Sequence, residues 1–378
     1  MKKAENMTYA GTGVSYEDMD PFKRLAQLAG RRTAGNISRL SGGEFREFEP
    51  SRGESAYLIE AAKSFFAFVE EGLGTKNLVA DAMYKLTGRS FYENIAQDTV
   101  AMIVNDMITV GALPLSVAMH LAVGSSDWFQ DEKRAKDLIH GWKRACDMAG
   151  CTWGGGETPT LKGVVVPGTV VLSGSSFGLV KPKANLIDPK NIRPNDAIVL
   201  VGGSGIHANG LTLARSIAEK ISTDKEKMDG YLAKLSDGRT YGEALLDPTP
   251  IYVSLVELMQ QHEIGIHYAM NITGHGWRKI MRATTPYSYV IDSIPKPQPV
   301  FDFIQKHGPV SDEEAYGNLN MNAGFAVIVS DFDAPRIGEL YADYALPIMV
   351  AGHVERGPKR VVIEPKGLEY AGETLAVR

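Results

Sequence analysis

The sequence predicts an α+β protein built from two halves, because strand-like and helix-like segments alternate and the alternation begins again after a proline-rich connection. The chain has 378 residues, which is long for one hydrophobic core and favours two domains. Hydrophobic residues make up 44% of the chain and charged residues 22%, as in ordinary globular proteins. We therefore predict a mixed sheet with helices on one face, followed by a second α+β half.

The first part of the chain differs from the rest. Residues 1–54 are polar and rich in glycine, so we predict an irregular N-terminal arm with one helix at about residues 20–30. Such a composition suits a lid over a substrate and a disordered tail about equally well. The sequence leaves both interpretations open.

Residues 55–180 are predicted to form the first compact domain. Aromatic and β-branched residues favour strands, whereas apolar residues that recur on one face favour an amphipathic helix. Glycine after the last periodic residue marks a helix end. The predicted elements are strands at 64–69 and 115–123, helices at 92–111 and 131–149, and two strand-like runs between 164 and 180.

Residues 181–196 carry three prolines and four basic residues, which is typical of a linker. We place the second domain at residues 181–378. Its predicted strands lie at 197–201, 264–268, 287–292, 323–330, 346–353 and 359–364, and its predicted helices at about 210–221, 251–262, 299–306 and 334–343.

Charge and composition exclude several classes of protein. The net charge of −5 argues against a nucleic-acid binder that relies on a broad basic surface. The N-terminus lacks the apolar stretch of a signal peptide, and no run is long enough to span a membrane. The two cysteines, Cys146 and Cys151, are too few for a zinc site. We expect a cytoplasmic protein with reduced thiols.

The most informative motif is Glu-Gly-Leu-Gly-Thr-Lys at residues 71–76, directly after a predicted strand. Glycines let backbone N–H groups approach a phosphate closely, and Lys76 adds a positive charge. Glu71 is placed near a metal ion. The spacing is not that of a P-loop. A plain glycine turn with an exposed lysine is the structural alternative.

An apolar helical run contains Asp98, Asn105 and Asp106. At 3.6 residues per turn, Asp98 and Asn105 share one face, and Asp106 lies about 80° round the helix. A carboxylate among apolar neighbours is costly to bury without a partner. We favour metal binding, and the alternative is a carboxylate satisfied by backbone groups or by a buried arginine.

The sequence Gly-Gly-Gly-Glu-Thr at residues 154–158 is predicted to form a loop between a helix and a strand. Successive glycines expose N–H groups that can surround an anion. Glu157 adds a carboxylate that suits a metal ion. A tight turn without a ligand is an equally good interpretation of the glycines alone.

Two glycine loops of the second half precede predicted helices. Residues 202–210 include His207, which has the right pKa for acid–base catalysis but which in such a loop is often inert. In residues 271–276, Thr273 and Gly274 can bind a phosphate or simply cap a helix.

Together and in this order, these motifs resemble the aminoimidazole ribonucleotide synthetase family, also called phosphoribosylformylglycinamidine cyclo-ligase. The matching stretches are residues 72–76, 97–106, 111–115, 155–158, 204–210 and 272–274, and the resemblance covers about residues 65–355. It implies an ATP-binding first domain, a substrate-binding second domain and a homodimer. It also implies that ATP, escorted by Mg²⁺, phosphorylates the formyl amide oxygen of formylglycinamidine ribonucleotide before the ring closes.

The resemblance assigns roles to individual residues. It implies Lys76 and His207 as catalytic residues and Glu71, Asp98, Asp106 and Glu157 as Mg²⁺ ligands. The implied ATP site consists of Gly72, Gly74, Thr75, Lys76, Asp98, Asn105, Gly155, Gly156 and Thr158. The implied ribonucleotide site consists of His207, Asn209, Gly210, Thr273 and Gly274.

The chain departs from the family pattern at several places. The family has aspartate where Glu71 stands and glycine where His275 stands. The segment 9–14 lacks the usual Lys-Asp pair, and 317–320 replaces an Arg-Thr-Phe-Asn sequence. These departures favour, as the alternative, a related ATP-dependent enzyme with a different small substrate. A nucleotide-binding protein without enzymatic activity is a third, weaker interpretation.

Overall fold

The computed structural model describes residues 6–341 and 345–375. The N-terminal arm forms two helices, α1 (Tyr16–Arg31) and α2 (Gly35–Leu40). The helix predicted at about 20–30 is therefore present and longer than expected, since Ser15 caps its first turn by accepting a hydrogen bond from the Asp18 N–H group.

The first half contains a six-stranded sheet with helices on one face. Its helices are α3 (Lys76–Thr87), α4 (Tyr92–Ile108) and α5 (Glu132–Ala149). Its strands are β1 (Arg46–Glu47), β2 (Tyr57–Glu60), β3 (Phe65–Gly72), β4 (Leu113–Val123), β5 (Thr152–Glu157) and β6 (Val170–Val180). Their order is β1-β2-β3-β6-β4-β5, and only the β4–β5 pair is parallel.

The second half is built on a seven-stranded sheet. Its helices are α6 (Leu211–Ile221), α7 (Tyr241–Leu245), α8 (Val253–Gln261), α9 (Pro299–His307), α10 (Asp312–Asn318) and α11 (Ala334–Leu340). Its strands are β7 (Ala197–Gly202), β8 (Ile266–Asn271), β9 (Tyr287–Ile291), β10 (Ala323–Val329), β11 (Ile348–Arg356), β12 (Arg360–Ile363) and β13 (Leu368–Ala371). Their order is β13-β12-β9-β11-β7-β10-β8.

These two α+β halves confirm the predicted fold class. Within the described residues, no helix is both long enough and apolar enough to cross a membrane. The boundaries proposed near residues 54 and 181 stay predictions, although 181–196 contains only short 3₁₀ turns and irregular backbone.

Two local predictions were wrong, and one long helix was missed. The glycines of 154–158 do not form a loop, because residues through Glu157 belong to β5 and pair with β4. Residues 164–169 are not a strand, and the side chains of Val164 and Val166 are 80% and 68% exposed. Helix α3 was not predicted.

Helix α4 occupies the centre of the molecule. Almost all of its residues are buried, including the polar residues between Gln97 and Asp106. It packs on β3, β4 and β6 and on α5 of its own half, and also on α8 and β8 of the second half. The polar side chains of α4 therefore lie at the junction between the halves.

Candidate functional site

A cleft of about 670 Å³ lies where the arm and both halves meet, within the size range of small-molecule sites. Several predicted site residues line it together. They are Glu71, Gly72, Gly74, Thr75, Asp106, Asn209, Gly210, Thr273 and Gly274. The end of β3, the inner part of α4, the segment that leads into α6 and the loop after β8 thus form one site.

Two helices begin at this cleft without a side-chain cap. Helix α3 follows Thr75 and α6 follows Gly210, and neither capping residue makes a side-chain hydrogen bond to its helix. The first N–H groups of a helix lack partners within it, and the helix dipole attracts anions to that end. The φ angle of Gly210 is +81°, a conformation that favours glycine. The cleft therefore offers two positions for phosphate groups.

Glu71 and Asp106 form an acidic pair in the cleft. The Asp106 Oδ1 atom accepts a hydrogen bond of 2.8 Å from Asn271 Nδ2. Burial and then the nearby Asp106 carboxylate raise the pKa of Glu71 to about 7. Among the described residues, no group of three or more His, Cys, Asp or Glu side chains could hold a metal ion. A divalent cation at this pair would therefore complete its shell with phosphate oxygens and water.

Basic residues lie beside these acids. The Lys279 amino group donates to the Asn271 carbonyl oxygen at 3.2 Å and to the Thr273 hydroxyl. Burial lowers the pKa of Lys279, although the charge of Asp106 acts in the opposite direction. Arg282 donates to the Gly53 carbonyl oxygen. Both cations line the cleft.

These basic residues were not among the predicted site residues. A signal exists in the sequence, since Lys279 and Arg282 are three residues apart just after the 271–276 glycine loop. Tyr16 and His275 were also not assigned to the site, and they line the same cleft. These two residues are 259 positions apart in the sequence and still contact each other. Sequence motifs, which relate nearby residues, do not predict such a contact.

Lys76 and Asp98 are buried against each other outside the cleft lining. The Lys76 Nζ atom lies 2.8 Å from Asp98 Oδ2, and neither side chain is exposed. The same ammonium group donates to the Asp247 carbonyl oxygen at 2.7 Å. Asp98 Oδ1 accepts from the Thr249 N–H group at 2.8 Å. The pair therefore connects the two halves, and direct contact with ATP or Mg²⁺ stays a prediction.

Asn105 makes a second connection of the same kind. Its amide donates to the Pro250 carbonyl oxygen at 2.8 Å and accepts from the Tyr252 N–H group at 2.9 Å. Asp98 and Asn105 thus contact the same segment of the second half, as expected for residues on one helical face. Asp106, on the neighbouring face, lines the cleft.

The predicted ATP residues Gly155, Gly156 and Thr158, together with Glu157, lie apart from the cleft. All four are exposed, at or next to the edge strand β5. Glu71 on β3 and Gly156 on β5 lie at the same height of the sheet, and strands β6 and β4 lie between them. Three strand spacings separate them by roughly 14 Å. Within one chain, these residues and Glu71 do not surround the same small group.

His207 lies in the protein interior, with 1% of its surface exposed. Its Nε2 atom accepts a hydrogen bond of 3.3 Å from the Ser204 N–H group. Burial and then the charge of Lys76 lower the pKa of His207 to about 3. The imidazole is therefore neutral at physiological pH and stabilises its own loop. Contact between His207 and a substrate stays a prediction.

Comparison with known families gives a clear result. The family model for the N-terminal domain of AIR synthase related proteins matches residues 53–180, and the model for the C-terminal domain matches residues 193–364. The chain belongs to the AIR synthase related family. This agrees with the resemblance in its motifs.

Several curated relatives of this AIR synthase related chain are named phosphoribosylformylglycinamidine cyclo-ligase. The protein of Methanocaldococcus jannaschii is 36% identical over 91% of both chains. That of Methanococcus vannielii is 34% identical over 98% of this chain and 97% of its own. That of Carboxydothermus hydrogenoformans is 31% identical over 95% of this chain and 99% of its own.

Solved structures share the AIR synthase related fold at low sequence identity. The structure described as a HypE-HypF complex has a TM-score of 0.58 and 16% identity, covering 84% of this chain and 92% of that chain. AaThiL complexed with AMPPCP and TMP has a TM-score of 0.56 and 14% identity, covering 84% and 90%. At these identities, the likeness shows the fold alone.

Proposed function

We propose that this protein is a phosphoribosylformylglycinamidine cyclo-ligase of purine biosynthesis. It closes the imidazole ring of formylglycinamidine ribonucleotide with ATP and yields aminoimidazole ribonucleotide. The observation that carries this function is the similarity to three relatives of that name, which are 31–36% identical and match at least 91% of each chain.

The reaction explains what the site has to do. An amide oxygen is a poor leaving group, and transfer of the ATP γ-phosphoryl group to the formyl amide oxygen makes it a good one. The amidine nitrogen then attacks the activated carbon, the ring closes, and phosphate leaves. Such an enzyme mainly positions its reactants and balances phosphate charge. The uncapped helix starts and the basic residues of the cleft suit this task.

We propose that Glu71 and Asp106 hold Mg²⁺ when ATP is bound. Two carboxylates together with phosphate oxygens are a usual Mg²⁺ environment in nucleotide-using enzymes. The bound ion would screen the charge of the phosphates. Two solved relatives of the fold are described as complexes with AMPPCP or ATP, which supports ATP as the nucleotide.

For the ribonucleotide, we propose Asn209, Gly210, Thr273 and Gly274 as binding residues, because all four line the cleft. His207 would act from the interior by stabilising the loop that carries Asn209 and Gly210, and Lys76 by connecting the two halves. A cytoplasmic location stays a prediction from the sequence.

We also propose a homodimer that forms through the uncovered face of the six-stranded sheet. Large apolar side chains are exposed there, including Phe68 at 49% and Phe177 at 45%, and a sheet normally buries such a face. A second copy is a self-complementary cover. The neighbouring β5 edge carries Gly155, Gly156 and Glu157, so a dimer would bring these residues close to a partner chain.

The decisive experiment is ATP turnover by the purified protein with Mg²⁺ and formylglycinamidine ribonucleotide. ADP and aminoimidazole ribonucleotide should appear in equal amounts. Asp106→Asn should lose most of the turnover, because it removes a charge from the proposed metal site. Asp302→Asn is a matched control, since Asp302 is exposed on α9.

The outcomes separate the two functions considered. Product formation in step with ADP supports the cyclo-ligase. ATP binding without aminoimidazole ribonucleotide contradicts it and supports the alternative, a related ATP-dependent enzyme with another small substrate. In that case the altered residues His275 and Gly317 are the first places to look for the changed specificity.

A further inference from the structure

The N-terminal arm forms one wall of the cleft. Tyr9, Val14, Tyr16, Met19 and Lys23 all line it, opposite the glycine loops of both halves. None of them belongs to the predicted ATP, metal or ribonucleotide sites. The arm therefore contributes side chains to the substrate space that the proposed function has not used.

Tyr16 contacts the second half of the protein at His275. Its ring stacks on the imidazole of His275, with 3.7 Å between ring centroids and an angle of 23° between the planes. Its hydroxyl oxygen accepts a hydrogen bond of 3.1 Å from the His275 N–H group. Two independent contacts thus fix the position of this hydroxyl.

The hydroxyl lies among the proposed ribonucleotide residues. A Cβ atom on Gly274 would be 2.7 Å from Tyr16 Oη and 3.5 Å from Asn209 Oδ1. Glycine at position 274 therefore leaves room for the Tyr16 hydroxyl next to Asn209. A longer side chain at residue 274 would displace the arm or close this part of the cleft.

Tyr16 can donate a hydrogen bond from this position. Burial raises the pKa of its hydroxyl to about 12, so the group keeps its proton at physiological pH. The oxygen already accepts from His275, and among the described residues no acceptor is recorded for the hydroxyl proton. The donor is therefore available to a molecule in the cleft.

The surroundings favour an anionic acceptor. The Lys23 ammonium group lies 5.7 Å from the centre of the Tyr16 ring, and the Arg278 guanidinium lies 5.8 Å from it. Lys23, Arg278, Lys279 and Arg282 all act electrostatically on His275 and lower its pKa to about 3, after the larger effect of burial. Lys23 is paired with Asp20, so the positive charge near the hydroxyl comes mainly from Arg278, Lys279 and Arg282.

His275 adopts an unusual backbone conformation for this contact. Its φ angle is +66°, a left-handed conformation that a residue with a Cβ atom adopts at a cost. Such strained residues cluster at ligand clamps. A glycine would avoid the strain but would not provide a ring for Tyr16 to stack on.

We infer that Tyr16 binds the ribonucleotide directly, by donating a hydrogen bond from its hydroxyl to an oxygen of the substrate's 5′-phosphate, and that His275 positions it. This inference rests on the proposed function, because it names the phosphate end of that substrate. Tyr16 selects for a phosphorylated ribose, whereas His275 acts through Tyr16 and through the loop that carries Thr273.

Steady-state kinetics of Tyr16→Phe test the inference, because this variant keeps the stacked ring and removes the donor. A lost hydrogen bond to a charged group should raise KM for the ribonucleotide about 10- to 100-fold. The KM for ATP and the kcat should each change less than about twofold, since the lost hydrogen bond is made to the ribonucleotide and not to ATP. Tyr84→Phe is the matched control, because the Tyr84 hydroxyl faces Asp131 outside the cleft.

His275→Gly gives a second measurement that does not depend on removing the hydroxyl. Glycine accepts the left-handed backbone, so the loop should keep its conformation. The KM for the ribonucleotide should rise in this variant too, by less than in Tyr16→Phe. An unchanged KM for the ribonucleotide in Tyr16→Phe overturns the inference. Equal increases in both KM values also overturn it, because they indicate a general role of the arm.

Calorimetric binding of ribose 5-phosphate separates this inference from the proposed function. The wild-type protein should bind this probe, and Tyr16→Phe should bind it at least about tenfold more weakly. Weaker binding by Tyr16→Phe supports the inference whether or not the protein forms aminoimidazole ribonucleotide. A lack of aminoimidazole ribonucleotide contradicts only the proposed function. Equal binding by both proteins, or no binding by the wild type, overturns the inference.

Discussion

The Lys76 ammonium group and the Asp98 carboxylate form an ion pair of 2.8 Å with no exposed surface. Each also bonds to the segment between α7 and α8, Lys76 to the Asp247 carbonyl oxygen and Asp98 to the Thr249 N–H group. A lysine from a glycine motif that resembles a phosphate loop therefore connects two halves of the protein. Because its ammonium group is bonded to Asp98 and to the Asp247 carbonyl oxygen, the Lys76 side chain does not line the cleft.

Lys76→Met should destabilise the protein strongly. The change leaves the Asp98 carboxylate buried without its cation, which costs about 3–5 kcal/mol in the free energy of unfolding. Urea unfolding followed by tryptophan fluorescence measures the loss. Lys136→Met is the control, because Lys136 pairs with Glu132 on the surface and should leave the unfolding midpoint unchanged. A loss below about 1 kcal/mol, typical of exposed pairs, would contradict a buried structural role.

Binding of Mg²⁺ with ATP should depend on pH through Glu71. The pKa of this carboxyl is about 7 in the folded protein, and a metal ion requires the ionised form. Affinity should therefore rise by up to about tenfold per pH unit below pH 7 and level off above about pH 8. Calorimetry at several pH values measures this dependence. Glu71→Gln should abolish it, whereas Glu70→Gln, at an exposed neighbouring position, should retain it.

The same carboxyl affects stability with a definite sign. The pKa of the Glu71 carboxyl is about 4.3 in the unfolded chain and about 7 in the folded protein. Between these two pH values the folded protein therefore binds one more proton than the unfolded chain. The contribution to stability is complete at low pH and is lost as the pH rises through this window. Glu71→Gln should remove this loss. A wild-type carboxyl that titrates near 4.3 would contradict both Glu71 predictions.

The pH profile of kcat/KM should contain no contribution from His207. The neutral imidazole has a pKa of about 3 and accepts a hydrogen bond from the Ser204 N–H group. His207→Asn should therefore keep the shape of the profile between about pH 5 and 8, even if the changed loop lowers its height. His140→Asn, on the exposed face of α5, is the control. An acidic limb near pH 6.5 that disappears only in His207→Asn would restore a general acid–base role.

Phe177→Glu should convert the proposed dimer into monomers. The charge would lie in the middle of the uncovered face of the six-stranded sheet, where Phe177 stacks on Phe66, and a second copy would have to desolvate it. Light scattering after size-exclusion chromatography measures the mass. Phe332→Glu is the control, because Phe332 is 80% exposed on the second half. A monomeric wild type, or a dimeric Phe177→Glu variant, would contradict the proposed interface.

Long elements were the easiest part of the fold to predict. The helix predicted at 92–111 occurs as Tyr92–Ile108, because buried apolar residues and a terminal glycine gave consistent signals. The glycines before Glu157 predicted a loop, and pairing with β4 holds them in a strand instead. Valines at 164 and 166 predicted a strand, but no neighbouring strand pairs with them along a ladder.

The candidate site was predictable only in part, because its residues are brought together by contacts between distant parts of the chain. Helical spacing placed Asp98 and Asn105 on one face and Asp106 on another, and the structure has this arrangement. Spacing could not indicate which face meets the cleft, since that depends on how the halves pack. The Tyr16–His275 contact depends on the same packing and has no local signal in the sequence.

The bonds from α4 to the segment 249–252 have a consequence for substrate entry. Asp98 and Asn105 hold that segment through its backbone, so a change in the angle between the halves would have to break these buried bonds. Displacement of the arm breaks the Tyr16–His275 contact and leaves these buried bonds intact, so we expect substrate to enter the cleft on the side of the arm.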